Sequence, residues 1–233
     1  MMERNETERD TTEGTGRELP QRWGVWLAVE GDLRFLSHRD CARALERASV
    51  RARLPLKYTQ GFNPHPVLAL LCPRPVGVAS LDDLLVVHLT EPIEADELVG
   101  RLEGQCPPGM RVLRARVLQA DESPRPCSVR CACAVGADRA DRLRPALRRF
   151  HRADTWPVER RRPASRRGRA GRVRRIDLKS LVDALRIEAD TLRWTLVPDG
   201  DVWARGEEVL EAVGLDGRVD LASTVRTGID YGL

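Results

Sequence analysis

Histidine is the side chain best suited to acid–base chemistry near neutral pH, and the chain has four of them. They are His38, His65, His88 and His151. None lies in an HExxH or related metal-binding spacing. His38 lies between Ser37 and Asp40 at the start of a predicted helix, where it could act as a general base or a ligand; polar first-turn residues also serve as caps. His65 lies between two prolines that hold the backbone stiffly, so it is either a fixed ring or part of a well-formed turn.

Other polar side chains near these two histidines predict the rim of a ligand-binding site. The predicted rim consists of Ser37, Asp40, Gln60, Asn63 and Ser80. The sequence contains no G-x4-G-K-[ST] phosphate loop, no GxGxxG fingerprint and no Ser-His-Asp order. The rim therefore indicates binding without naming a reaction, and His38 and His65 are the candidate catalytic residues.

The six cysteines could hold an iron–sulfur cluster only if their spacing allowed it. Cys127-x3-Cys131-x-Cys133 is one residue short of the C-x3-C-x2-C signature. In a strand, the three thiols would point to one face, with the first and last about 20 Å apart, too far for one small cluster. We predict reduced, buried thiols that pack as small hydrophobes, with no metal site and no cofactor.

One segment carries most of the positive charge. Val158–Arg175 holds nine arginines and one glutamate, a net charge of +8, whereas the whole chain carries only +4. The nine are Arg160, Arg161, Arg162, Arg166, Arg167, Arg169, Arg172, Arg174 and Arg175. Spaced by proline, serine and glycine, they predict a flexible basic loop suited to phosphate contacts. The alternative is a solvated surface, and because the loop has no aromatic residue, it does not encode stacking on bases.

The elements that must position these residues follow from apolar periodicity. Residues 1–21 have almost no large apolar side chains and are predicted to be a disordered tail. Residues 22–120 read as β-α-β-β-α-β. The main predicted elements are the strand Trp23–Val29, an extended Leu33–Leu36, a helix from Ser37, extended runs at Lys57–Gln60 and Val67–Leu71, the strand Leu84–Leu89, the helix Glu94–Leu102 and the strand Met110–Leu118.

A second, more divergent copy of this order is predicted for residues 127–233, after a linker at 121–126. It contains the strand Cys127–Val135, a helix over Ala137–His151, the alternating strand Leu192–Val197 and a helix over Glu207–Val213. We therefore predict an α+β protein of two ferredoxin-like halves, with antiparallel sheets and helices on one face. The loop Val158–Arg175 would interrupt the second half.

Composition limits where such a chain works. Hydrophobic residues make up 42% and charged residues 32%, which is typical of a folded domain. No run approaches the roughly 18 to 20 apolar residues that cross a bilayer, and the N-terminus is polar and acidic. We expect a cytoplasmic protein that does not enter the membrane.

Three motifs give the chain a family resemblance. They are Gly31-Asp32-Leu33-Arg34-Phe35-Leu36-Ser37-His38 with Asp40, then Gln60-Gly61-Phe62-Asn63-Pro64-His65-Pro66, then Pro75-Val76-Gly77 with Ser80. With these motifs and the closing Arg226-Thr227-Gly228, the chain resembles the radical SAM-linked proteins, a bacterial domain family of unknown function, over about residues 22–233. After Ser80 that family tends to carry an acidic residue directly, whereas here Leu81 precedes Asp82 and Asp83. At Arg205-Gly206 it tends to have Arg-Pro.

The resemblance implies a companion of a radical SAM protein, with a link to RNA maturation, and supplies no catalytic residue. The sequence thus predicts a non-catalytic accessory protein that binds RNA, either tRNA or rRNA, beside a radical SAM partner. One alternative is an RNA-processing or nucleotide-acting enzyme that uses His38 or His65. Another is a protein-interaction module without RNA.

Overall fold

The computed structural model describes residues 21–162 and 172–232. Residues 1–20 of the predicted tail and residues 163–171, including Arg166, Arg167 and Arg169, lie outside these ranges. Within them the chain is a mixed α+β protein with a mostly antiparallel sheet and four α-helices, as predicted. Two predicted extended runs do not form strands, and one strand of the structure was not predicted; these are described below.

The first half contains four strands and two helices. They are β1 (Gln21–Val29), α1 (His38–Arg51), β2 (Leu68–Leu70), β3 (Ala79–Leu89), α2 (Ala95–Glu103) and β4 (Met110–Leu118). Strand β1 lies between β3 and β4 and is antiparallel to both, and β2 pairs antiparallel with β3. Apolar residues of β1 pack against both helices, which therefore cover one face of the sheet.

The second half repeats this succession with a hairpin inserted. Its elements are β5 (Arg125–Ala134), α3 (Ala137–Arg152), β6 (Pro157–Arg162), β7 (Arg172–Asp177), β8 (Val182–Glu188), β9 (Thr191–Leu196), α4 (Gly206–Ala212) and β10 (Thr224–Gly232). Strand β5 lies between β9 and β10, and β8 pairs with β9, all antiparallel. Strands β6 and β7 form a separate two-stranded sheet.

The two halves share one eight-stranded sheet. Strand β10 pairs in parallel with the start of β3, where Val225 aligns with Ala79 and Arg226 with Ser80. The chain's last strand therefore joins the second half to the first. A change at this seam affects both halves at once.

Local sequence explains most element boundaries. Helix α1 starts where the Ser37 hydroxyl accepts a hydrogen bond from the Asp40 backbone N–H at 3.2 Å, as predicted for a cap. In β9, Leu192, Trp194 and Leu196 are buried at every second position, which is the alternation the sequence indicated.

Two predicted segments differ from the structure, and one strand was not predicted. Leu33–Leu36, predicted as extended, lies mostly in a 3-10 helix at Gly31–Phe35, because a left-handed Gly31 (φ 57°) turns the chain tightly after β1. Lys57–Gln60 forms only an isolated bridge between Tyr58 and Pro66, not a strand. Strand β10 was missed, because its alternation is broken by Arg226 and two glycines.

Candidate functional site

A cavity of about 590 Å³ lies at the seam between the halves. Its floor is the β5–β9–β10 part of the sheet, including Trp194 and Arg226. The connection between β2 and β3 forms one wall, with Cys72 and Pro75, and the connection before α4 forms another, with Trp203. Most of the lining is apolar and a few polar groups converge on it, which is the usual character of a small-molecule site.

A buried ion cluster reaches this cavity. The carboxylate of Asp83 contacts Arg226 Nη1 at 3.1 Å and Arg74 Nε at 3.5 Å, and the Ser80 hydroxyl donates to it at 2.6 Å. The charged side chains of the three residues are 2 to 4% exposed. Two buried guanidinium groups thus share one carboxylate, and Arg226 also lines the cavity.

Backbone carbonyls hold the two arginines in place. Arg226 donates to the carbonyl of Cys72 at 2.9 Å and to that of Pro73 at 3.1 Å. Arg74 donates to the carbonyl of Arg34 at 3.1 Å and to the thiol of Cys41 in α1 at 3.4 Å. These carbonyls satisfy N–H groups but add no negative charge, so the cluster keeps one net positive charge.

Neutral thiols and rings surround Arg226. Burial raises the pKa of the Cys131 thiol to about 12, and burial also raises the pKa of Cys72, so both stay protonated at neutral pH. Burial likewise raises the pKa of Tyr231. Among the described residues, the buried Trp194 indole N–H and the Tyr231 hydroxyl have no hydrogen-bond partner.

A salt bridge between the hairpin and α4 borders the cavity. Arg160 of β6 contacts both carboxylate oxygens of Glu208 in α4, at 2.6 and 2.7 Å, and donates to the carbonyl of Trp203 at 2.6 Å. Glu208 also accepts from the Arg205 backbone N–H at 2.7 Å, which caps α4. The hairpin is therefore fastened to the second half at this point.

The predicted site around His38 lies at the start of α1, and among the described residues Ser37, His38 and Asp40 make no hydrogen bond or salt bridge to the ion cluster. The Ser37 hydroxyl donates to the Asp40 carboxylate at 2.6 Å, which makes both residues part of the cap of α1. His38 is the first residue of the helix and makes no side-chain hydrogen bond among the described residues. The capping alternative therefore accounts for Ser37 and Asp40.

The loop from Gln60 to Pro66 forms an exposed turn. The Thr59 backbone N–H donates to the carbonyl of His65 at 2.8 Å, and the Thr59 hydroxyl accepts from the His65 backbone N–H at 3.0 Å. Gln60, Asn63 and His65 are exposed, and Phe62 at the tip is fully exposed.

The structure does not assemble the predicted rim into one site. Ser80 is fully buried and bonds to Asp83, whereas Gln60 and Asn63 lie in the exposed turn. No hydrogen bond among the described residues joins Ser80 to that turn or to Ser37 and Asp40. The residues that sequence reasoning missed are Arg74, Asp83 and Arg226. No local pattern marks these residues, because Asp83 and Arg226 lie 143 residues apart in sequence and meet only through the pairing of β10 with β3.

The arginine segment is a two-stranded hairpin over its described residues, not the expected flexible loop. Arg160 aligns with Arg174 and Arg161 with Val173, because antiparallel ladder bonds fix the register. Arg161, Arg174 and Arg175 are exposed, and Arg175 contacts Glu159 at 3.0 Å. Arg160 is instead paired with Glu208. Backbone pairing places Arg162 opposite Arg172 toward the end of the hairpin.

The cysteines are all free thiols. Cys131 and Cys133 are buried on β5, as predicted, but Cys127 is exposed. Over residues 21–162 and 172–232, no group of three or more His, Cys, Asp or Glu side chains is arranged to hold a metal ion. Within the same ranges, no helix is both long enough and apolar enough to cross a bilayer.

These features define a class of protein: an α+β chain whose two halves share one sheet, with a cationic cavity at their seam. Residues 22–208 match the model of a family described as an uncharacterized protein conserved in bacteria (DUF2344), and the chain belongs to that family. No curated protein matches the chain.

Proposed function

We propose that the protein is a non-catalytic accessory protein that binds RNA through its arginine hairpin. The observation that carries this proposal is the exposed hairpin formed by β6 and β7, which presents Arg161, Arg174 and Arg175 to solvent. The planar guanidinium group of arginine can donate two parallel hydrogen bonds to the oxygens of one phosphate. A hairpin fixed at its base holds such side chains in a set order at lower entropic cost than a free loop.

The base of the hairpin continues into a second basic surface. Trp156, just before β6, packs against Phe150 of α3, with ring centres 5.3 Å apart and ring planes tilted by 50°. It also lies under the guanidinium of Arg149, 5.1 Å from the ring centre. A groove of about 420 Å³ at the end of α3 is lined by Arg148, Arg149 and Arg152. From residue 148 to residue 179 the sequence has thirteen arginine and lysine residues against three carboxylates. A sequence segment of this charge and length favours a polyanion over a single phosphate.

The experiment that tests the proposal is the salt dependence of RNA affinity. Binding of a fluorescein-labelled single-stranded RNA is measured by anisotropy over a series of salt concentrations. If Arg161, Arg174 and Arg175 each contact one phosphate, replacing all three with Ala should reduce the slope of log affinity against log salt by about 2. Arg160 is left unchanged because its role in the Glu208 salt bridge would confound binding with folding.

A matched control is available on α1. Arg39, Arg43 and Arg47 are exposed and spaced by four residues, and their replacement with Ala removes the same charge elsewhere. The control should leave the slope unchanged. Equal effects of the two triple variants would contradict the proposal, as would a wild-type protein that binds no RNA at low salt.

The same binding assay, applied to two histidine variants, separates the alternatives. His38→Ala and His65→Ala should leave RNA affinity and its slope unchanged, because neutral imidazoles release few counterions. A turnover of RNA or nucleotide that either variant abolishes would favour the enzyme alternative. Capture of a radical SAM protein without RNA binding would favour the interaction module.

We also propose that the two halves are related ferredoxin-like units in a cytoplasmic protein that works beside a radical SAM partner. The support for the fold is the same spatial order in both halves: fourth, first, third and second strand, read as β4-β1-β3-β2 and β10-β5-β9-β8. The hairpin of β6 and β7 is then an insertion that only the second unit carries. The partner rests on family resemblance, so co-purification from the native cell is its test.

A further inference from the structure

We propose that the cavity at the seam binds a small organic anion: a carboxylate or phosphate group beside Arg226, carried on a flat apolar body that lies against Trp194 and Trp203. This inference does not depend on RNA binding, since the cavity and the exposed arginines of the hairpin are different surfaces.

Charge balance indicates an anion. Arg74 and Arg226 share the single carboxylate of Asp83, and all three side chains are at least 96% buried. A buried charge without a partner is costly, so an anion that enters beside Arg226 offsets that cost. Three hydrogen bonds of Arg226 to protein groups leave two of its five N–H groups without a partner among the described residues.

The other charges around the cavity do not supply that anion. Glu208 is occupied by Arg160, and Glu207 contacts Arg205 at 3.2 Å. Asp201 lines the mouth but is exposed to solvent. The cavity is therefore cationic beside Arg226, whereas its other charged neighbours, two arginines against three carboxylates, sum to −1, and this gradient orients an anionic group toward Arg226.

The apolar residues of the cavity walls indicate that the rest of the ligand is apolar and planar. Trp194, Leu196 and Val129 come from the sheet, and Trp203 and Pro75 face them from the connections. Cys72 and Cys131 add neutral lining because burial keeps them protonated. A volume of about 590 Å³ is within the range of about 300–1,000 Å³ for small-molecule sites. Two indole rings in the lining favour a planar group.

Two fluorescent probes that differ by one charge test the proposal. 8-Anilinonaphthalene-1-sulfonate is a flat apolar anion, and N-phenyl-1-naphthylamine has the same body without the sulfonate. The folded wild-type protein should bind the sulfonate probe about tenfold or more tightly than the neutral one, as a charge-assisted hydrogen bond in a buried site allows. Equal binding of the two probes would overturn the anionic assignment.

Two variants locate the binding. Arg226→Gln should abolish the preference for the charged probe, whereas Arg226→Lys should retain most of it. Because Arg226 also joins the halves, Leu221→Trp provides a second variant: Leu221 is partly exposed on the cavity wall, and a larger ring there should fill the cavity and weaken both probes. Each variant must first show a cooperative thermal transition. Unchanged probe binding in folded Leu221→Trp would show that the probes bind elsewhere and would refute the proposal.

Competition distinguishes the two possible acid groups. 1-Naphthaleneacetate and 1-naphthyl phosphate are titrated against the bound sulfonate probe, with 1-naphthalenemethanol as the neutral control. Displacement by either anion at lower concentration than the alcohol supports the proposal, and the stronger competitor identifies the acid group. Displacement by all three at the same concentration would overturn it.

Discussion

The carboxylate of Asp83 contacts two buried arginines, and the effect of neutralising it can be predicted in detail. Asp83→Asn keeps the size of the side chain, so it creates no cavity. It removes the only negative charge within contact distance of two buried guanidinium groups, at 3.1 and 3.5 Å, among the described residues. Because Arg226 belongs to β10 and Arg74 to the connection before β3, the loss falls on the seam between the halves.

The magnitude follows from burial. Breaking a buried ion pair by removing one partner costs about 3–5 kcal/mol, because the other charge stays buried without compensation. The amide oxygen of Asn can still accept one hydrogen bond, so we expect a loss of about 3–4 kcal/mol in the free energy of unfolding. Domains are stable by about 5–15 kcal/mol, so the variant should fold but unfold at clearly lower urea concentration.

The assay is urea unfolding followed by tryptophan fluorescence and circular dichroism. Glu97→Gln is the matched control: its partner Arg101 is four residues away on α2, and both side chains are about half exposed. That change should cost less than about 0.5 kcal/mol. Adding Arg226→Met to Asp83→Asn should cost less than the sum of the two single changes, since the second change removes a stranded charge. A loss below about 1 kcal/mol for Asp83→Asn would refute the reasoning.

Three further predictions concern thiols, pH and glycines. Iodoacetamide at pH 8 should label Cys127 first and leave Cys131 unlabelled in the folded protein, because burial raises the Cys131 pKa to about 12; peptide mass spectrometry that finds equal labelling would contradict this. Burial, with the nearby positive charges of a lysine and an arginine, lowers the pKa of His88, so the unfolded chain binds the proton more readily. Stability should therefore fall as pH drops below about 6.5, and His88→Gln should lessen that fall between pH 7.5 and pH 5 in urea titrations; an identical fall in both proteins would count against it. Gly109→Ala should lower the free energy of unfolding by more than about 1 kcal/mol, because φ is 91° and a Cβ would lie 2.8 Å from the carbonyl oxygen of Glu30. Gly100→Ala, at an exposed position of α2, should instead raise the melting temperature. The opposite order of melting temperatures would show the backbone argument to be wrong.

The sequence determined the elements whose signals are local. The cap at Ser37, the amphipathic helices and the alternation of β9 are each encoded within a few residues, so the mixed α+β class and most element positions could be predicted. Strand alternation placed Cys127, Cys131 and Cys133 on one face and predicted that all three are buried; Cys131 and Cys133 are buried, whereas Cys127, near the start of β5, is exposed. The basic charge of the segment around β6 and β7 could also be read from the sequence, because net charge depends only on composition.

Tertiary structure alone decided the site. Arg226 lies 143 residues from Asp83 along the chain, and only the pairing of β10 with β3 brings them to 3.1 Å. A strand with a buried arginine has no apolar alternation, so its role could not be predicted from periodicity. The same applies to Arg160: sequence counts it among nine equivalent arginines, whereas packing of the hairpin against α4 pairs it with Glu208 and leaves Arg161 in solvent. Charge is written in the sequence, but which charges are buried together depends on long-range strand pairing.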